Sequence, residues 1–341
     1  MKKQLGNILK FIISLGIGIG LVFWSLNGIS AEQKQMIVES FKRANYSWLF
    51  LLMMFGLASN FFRAQRWRLL LQPLGYTPGY WNSFHAVMSM FFFNLFFPRL
   101  GEVMRCTILY KYEKIPVEKS IGTMVLERVI DLFCILILGG LILLSEYQRY
   151  YIFFKDLFVG DKAKNIAVET NYNKYLIMIG IALVLIAAVI FLIRKHGFEK
   201  ITSFLKNKFL GLWQGIISIK DLEKKWEFVF HTFGIWICYI LMPYFGFKCL
   251  EETASLGFTA AMAAVFFGGF AMVATQGGIG VFQIVIQKIL TTYGVASIIG
   301  LSYGWISWSV QNLSVVVAGI FSLVCLAVFN KDSKQTQADE Q

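Results

Sequence analysis

Ile121-Gly122-Thr123-Met124-Val125-Leu126-Glu127-Arg128-Val129-Ile130-Asp131-Leu132-Phe133-Cys134-Ile135-Leu136-Ile137-Leu138 has the character of a membrane helix, yet it carries three charges near its centre. On insertion scales a charge at the middle of a bilayer costs about 2.5–3.5 kcal/mol, so Glu127, Arg128 and Asp131 are expected to face protein or a wet cavity. Glu127 and Asp131 stand four residues apart and share a helix face, with Arg128 beside Glu127. Such a cluster is expected to orient other groups or to relay protons.

The rest of the chain fits that reading. Of its 341 residues, 57% are hydrophobic and only 15% charged, against about 25% charged in soluble domains. This excludes an ordinary soluble enzyme. Thirty-three Phe and nine Trp suit lipid-facing surfaces and interfacial belts. The net charge is +12; the basic residues gather in connecting segments, as cytoplasmic retention requires. No aromatic–basic recognition motif accompanies them, and nucleic acid is not expected as a partner. Cys106, Cys134, Cys238, Cys249 and Cys325 form no CxxC pair, and three His are too few for a zinc site. Neither a metal nor another cofactor is expected. Met1-Lys2-Lys3 precedes an apolar run without a small-residue cleavage site, which reads as a retained first span.

Six full spans are expected, at about 8–27, 46–64, 119–144, 174–193, 228–249 and 297–329. A short amphipathic piece, 31–45, follows the first. The basic stretch 194–225 reads equally as an interfacial helix on anionic lipid or as a linker helix packed on the protein. Basic segments stay inside, so both termini and 194–225 are placed in the cytoplasm and 28–45 and 145–173 outside. The implied location is the inner membrane.

Two further apolar runs, 82–97 and 258–275, each meet a glycine-containing break and continue as a second helical stretch, 103–111 and 281–290. Read as re-entrant hairpins, they preserve the six-span count; read as full spans, they raise it to eight. One lies between spans two and three, the other between spans five and six. The expected fold is therefore all-α and polytopic, with six spans, two broken hairpins and an inverted-topology repeat, a pattern that points to a midplane site. A single transmembrane domain would cover 1–330. Its halves would be 46–144 and 228–329, joined by 145–227, with a polar tail at 331–341.

Pro98-Arg99-Leu100-Gly101-Glu102-Val103-Met104-Arg105 ends one half-helix and starts the next. Proline stops the first, glycine permits the turn, and Glu102 suits the positive end of the second. Arg99 and Arg105 are suited to phosphate because the guanidinium fork is always charged and bidentate. The alternative is that they pair with Glu102 or Asp131, or lie at the cytoplasmic surface. Gln276-Gly277-Gly278-Ile279-Gly280 is the second break, where free backbone groups meet a ligand or small residues let helices approach. Gln283 and Gln287 follow on one face. Arg63 and Arg66, with Trp67, read as an interfacial anchor, with headgroup recognition as the alternative.

Arg66-Trp67, Asn94 through Pro98-Arg99-Leu100-Gly101-Glu102 with Arg105, Glu127-Arg128 with Asp131, and Gly277-Gly278-Ile279-Gly280 follow one another in this order. Together they resemble the flippase-like membrane region of the lysylphosphatidylglycerol synthase family, which also occurs as stand-alone proteins. The family often has Pro before the glycines and Glu shortly after; here Thr275-Gln276 and Gln283 stand instead. The resemblance implies moving or holding a polar lipid. In the full-length enzymes a soluble synthase domain follows and uses aminoacyl-tRNA. With a short polar tail after span six, enzyme activity is not expected.

These readings converge on a transporter-like protein for a phosphate-bearing phospho- or polyprenyl lipid, with membrane lipids as its partners. Substrate contacts fall on Arg99, Gly101, Glu102, Arg105, Gln276, Gly277, Gly278, Gly280 and Gln283; Glu127, Arg128 and Asp131 orient or couple. A proton- or ion-coupled carrier of a small soluble solute and a non-transporting scaffold or lipid-processing partner are the rivals.

Overall fold

A computed structural model describes Gly20 and residues 30–97, 100–151 and 221–339, with side chains to Asn330. Span one apart from Gly20, span four, and residues 194–220 of the basic stretch lie outside the described residues. Within them the chain is all α-helical. The helices are α1 (Ala31–Arg43), α2 (Tyr46–Leu71), α3 (Tyr80–Phe96), α4 (Leu100–Glu113), α5 (Val117–Ser145), α6 (Lys225–Gly246), α7 (Phe258–Ala274), α8 (Val281–Thr292) and α9 (Ser297–Asp339).

Local chemistry sets several of the boundaries. Ser30 and Gln33 exchange side-chain-to-backbone hydrogen bonds in a capping box that opens α1. Asn45 caps α2 by accepting from the Ser47 N–H at 3.0 Å. Pro116, with its fixed φ and no N–H to satisfy, stands just before α5. Among the described residues, four helices are long and apolar enough to cross a membrane: Tyr46–Leu74, Val117–Ser145, Lys225–Cys249 and Ser297–Asn330. At 1.5 Å per residue, the 17-residue α3 and α7 are each about 25 Å long, short of a bilayer core of about 30 Å.

Both apolar runs break. Phe97 is extended after α3, and the chain resumes helix at Leu100. After α7, Thr275 is extended and Gly277, Gly278 and Gly280 all take positive φ, the left-handed region that favours glycine. A Cβ on Gly277 would lie 3.7 Å from Leu95 Cδ2, so the two hairpin tips touch.

The long helices pack antiparallel on helices of the other half. A Cβ on Gly56 of α2 would meet Met242 of α6, and one on Gly234 of α6 would meet Phe62 of α2. Phe92 of α3 presses on Gly319 of α9, and Phe266 of α7 on Gly139 of α5. One core joins the end of α2 to the first hairpin through Ala64, Trp67, Val87, Met90 and Leu109. Another joins the start of α2 and the end of α6 to the second hairpin through Leu49, Leu52, Phe247, Ala261 and Leu290.

Candidate functional site

α2 runs one turn and more past the charges at which its span was expected to end. Leu69, Leu70 and Leu71 continue the helix into the core, and Arg63, Arg66 and Trp67 are carried inside with them. The expectation that these three sit at the membrane interface is corrected. Arg66 and Trp67 are fully buried and Arg63 nearly so, because α5 sets two carboxylates against the arginines and Thr123 against the indole.

Those carboxylates bind three elements together. Asp131 accepts from Arg63 Nη1 at 3.0 Å and from Arg66 Nη2 at 2.8 Å. Glu127 accepts from Arg105 Nη1 of α4 at 2.8 Å and lies 3.6 Å from Arg66 Nε. A fourth element joins from the other half: Arg63 Nη2 donates to Tyr239 Oη of α6 at 2.7 Å. Arg105 stacks its guanidinium 3.5 Å from the centre of the Trp67 ring. The indole N–H of Trp67 in turn donates to Thr123 Oγ1 at 2.9 Å. Asp131 lies about 21 Å along α5 from Val117 and about as far from Ser145, the middle of a span-length helix.

The charges inside do not balance. Among the described residues, the carboxylates that Arg63, Arg66 and Arg105 face are Glu127 and Asp131, all with side chains at most 15% exposed. Among the described residues, Arg63 Nε, Arg66 Nε and Nη1, Arg105 Nε and Nη2, and the single carboxylate oxygen Glu127 Oε1 are buried in the cluster without a hydrogen-bond partner, five donors against one acceptor. Arg128 adds a further cation from the outer side. Its half-exposed guanidinium lies 3.6 Å from Asp131, on a face of α5 shared with exposed Val125, Val129, Leu132 and Phe133.

The remaining expected residues fall as follows. Arg99, with Pro98, lies outside the described residues, as does the side chain of Gln276. Gly101 seats directly on α3: its N–H donates to Asn94 Oδ1 at 2.9 Å, and a Cβ there would stand 1.9 Å from the Met90 carbonyl. Glu102 occupies the first turn of α4, with one buried carboxylate oxygen that lacks a partner. Gly277 accepts from the Trp308 indole at 2.7 Å through its carbonyl, and Thr275 Oγ1 closes the break onto the Ile279 carbonyl at 2.9 Å. Gln283 is 1% exposed, and both of its amide atoms lack partners among the described residues. Tyr239 and Thr123 were not expected. Thr123 stands four residues before Glu127 on the same helix face, which is its only trace in the sequence. No group of three or more metal-ligating side chains occurs among the described residues.

Fold and cluster together define a multi-pass α-helical membrane protein with an ionic network sealed among its spans. The model of the lysylphosphatidylglycerol synthase TM region matches residues 11–319, and the chain belongs to that family. Over 96 residues it is 31% identical to the UPF0104 membrane protein MJ1595 of Methanocaldococcus jannaschii, a stretch of 26% of this chain and 29% of that protein. The chain thus spans under a third of that relative's length. No solved structure matches it.

Proposed function

We propose that the chain binds the phosphate-bearing headgroup of an anionic membrane lipid at the Arg63–Arg66–Arg105 cluster and carries that lipid between the leaflets of the inner membrane. The observation behind this reading is the surplus of buried guanidinium over carboxylate, with N–H groups left without partners. A buried cation without an anion is costly, and a phosphate oxygen would satisfy both the charge and the unused donors. Planar guanidinium forks suit a phosphate better than point charges do.

The surroundings assign further roles. Arg128, half exposed between membrane-facing side chains and the cluster, is the first cation that a headgroup meets from the lipid side. Acyl chains then remain in the bilayer, and only the headgroup needs a polar path. Glu127 and Asp131 hold the arginines apart and aligned, and the Trp67 ring fixes the plane of Arg105. Gly101, with Glu102, sets the tip of the first hairpin. Gln276, Gly277, Gly278, Gly280 and Gln283 form the facing wall, where the partnerless Gln283 amide has capacity for a headgroup hydroxyl or phosphate oxygen. Arg99 completes the set. The start of α5 and both chain termini are placed on the cytoplasmic side, following the basic segments.

The test is leaflet exchange in vesicles reconstituted with purified protein and labelled phosphatidylglycerol or polyprenyl phosphate. Accelerated exchange that an Arg105→Gln variant abolishes is expected. Unchanged exchange for both lipids would reject the reading, and uptake of free phosphate without lipid exchange would assign the site to a soluble anion.

A further inference from the structure

The helix order repeats. Tyr46 and Lys225, Tyr80 and Phe258, Leu100 and Val281, and Val117 and Ser297 open corresponding helices at a nearly constant separation of about 180 residues. The corresponding helices α2 and α6 lie side by side and antiparallel. Arg63 reaches Tyr239, and Gly246, beyond it on α6, abuts Leu52, earlier on α2. The two halves therefore run in opposite directions through the molecule.

Polar contacts at the two hairpin mouths repeat with the same separation. At the first mouth, Glu113 closes α4 and accepts from Asn82 Nδ2 at 2.6 Å and from the Gly79 N–H at 3.0 Å. Asn82 and Asn330, at the far end of α9, then exchange amide hydrogen bonds at 3.1 and 3.0 Å. At the second mouth, Tyr293 just after α8 meets Tyr150, just beyond α5, with hydroxyl oxygens 3.1 Å apart. Arg149 stacks 4.1 Å from the Tyr293 ring centre and donates to the Thr292 carbonyl. Glu113 corresponds to Tyr293 and Tyr150 to Asn330, each pair about 180 residues apart. In both places the end of one half's last span grips the mouth of the other half's hairpin. The first mouth lies where α5 begins and the second where α5 ends, so the two grips sit at opposite faces of the membrane.

We propose that these are the two gates of an alternating carrier: an Asn82–Asn330–Glu113 latch at one face and an Arg149–Tyr150–Tyr293 latch at the other. Both are closed in this conformation, which is the occluded one. Each hairpin can swing from its glycine-containing break only when its own latch parts, and reciprocal packing of the halves favours opening one latch while the other stays shut. This rests on the transport reading for its purpose but on the repeated geometry for its mechanism.

Two measurements separate these. The first uses a chain with its five native cysteines replaced by alanine and carrying Asn82→Cys/Asn330→Cys. Its oxidation rate to a disulfide is followed with and without Tyr150→Phe/Tyr293→Phe. Weakening the second latch should hold the first one, already loosened by the loss of its two amides, closed longer and speed its oxidation by up to about five-fold, the factor expected when one hydrogen bond leaves a two-state balance. An unchanged or slower rate, in variants that keep the thermal midpoint of the parent, would overturn the coupling whatever the cargo. The second measurement cross-links either latch, the second through Tyr150→Cys/Tyr293→Cys, and follows lipid exchange in vesicles. Each disulfide should stop exchange and reductant should restore it. Exchange that continues through either cross-link would overturn the gates, whereas coupled latches in a protein that moves no lipid would remove the lipid reading alone.

Discussion

At the scale of single residues, the imbalance of the cluster has a measurable sign. Glu127 is fully buried between Arg66 and Arg105, and Glu127→Gln leaves Arg105 without its countercharge and Arg66 with Asp131 alone. Breaking one side of a buried ion pair costs about 3–5 kcal/mol, and thermal unfolding in detergent should register a loss of that order. Arg63→Gln removes one of three cations and returns the cluster to balance. Its loss should be smaller, about 1–2 kcal/mol for hydrogen bonds to Asp131 and Tyr239. Equal losses for the two variants would show that no cation is in surplus. The sequence marked Glu127, Asp131 and Arg105 because charge is conspicuous in an apolar run. It concealed Arg63 and Arg66. Three arginines in six residues look like the end of a span, and only Leu69-Leu70-Leu71 beyond them tells that the helix goes on into protein.

At the scale of elements, the breaks and the helix contacts carry the testable content. Gly101→Ala would place a Cβ 1.9 Å from the Met90 carbonyl, a backbone atom that cannot step aside. It should cost at least the upper end of the about 1–3 kcal/mol typical of overpacking and spread the first hairpin. Gly140→Ala, whose Cβ would meet nothing within 4 Å, should be neutral or slightly stabilising through helix propensity. A comparison of thermal midpoints checks both, and equal effects would mean that the tip is not packed as described. The hairpins themselves were legible: apolar runs too short to span, stopped by proline or glycines, leave few other solutions. The contacts between elements were not. Nothing in the local pattern announces that Phe92 fits Gly319 or that Phe266 fits Gly139, since such fits depend on how distant helices cross.

At the scale of the whole molecule, the antiparallel packing of α2 against α6 fixes which loops share a face. Lys114, between α4 and α5, lies at the end where α6 begins, and Glu251 at the end where α6 stops. With native cysteines removed, a thiol introduced by Lys114→Cys should react with a membrane-impermeant reagent from the cytoplasmic side, and one introduced by Glu251→Cys only from the other. Labelling of both from one side would contradict the arrangement. The sequence suggests a repeat because two breaks occupy matching places between spans. Its chemical asymmetry lies deeper. Asp131 and Arg105 belong to the first half, and the corresponding stretches of α8 and α9 carry glutamine, serine and tryptophan instead. Under the proposed repeat, α4 and α5 supply the charge and their counterparts supply neutral polar side chains.

In the proposed function, the buried guanidinium groups keep unused donors for an anionic headgroup. The most direct measurement is an electron cryomicroscopy map of the protein in nanodiscs containing phosphatidylglycerol. The expected map has density of phosphate size within hydrogen-bond distance of Arg63, Arg66 and Arg105, continuous with an acyl chain beside Arg128. A map in which the three guanidinium groups are fully occupied by Glu127, Asp131 and neighbouring side chains, with no headgroup among them at saturating lipid, would contradict it.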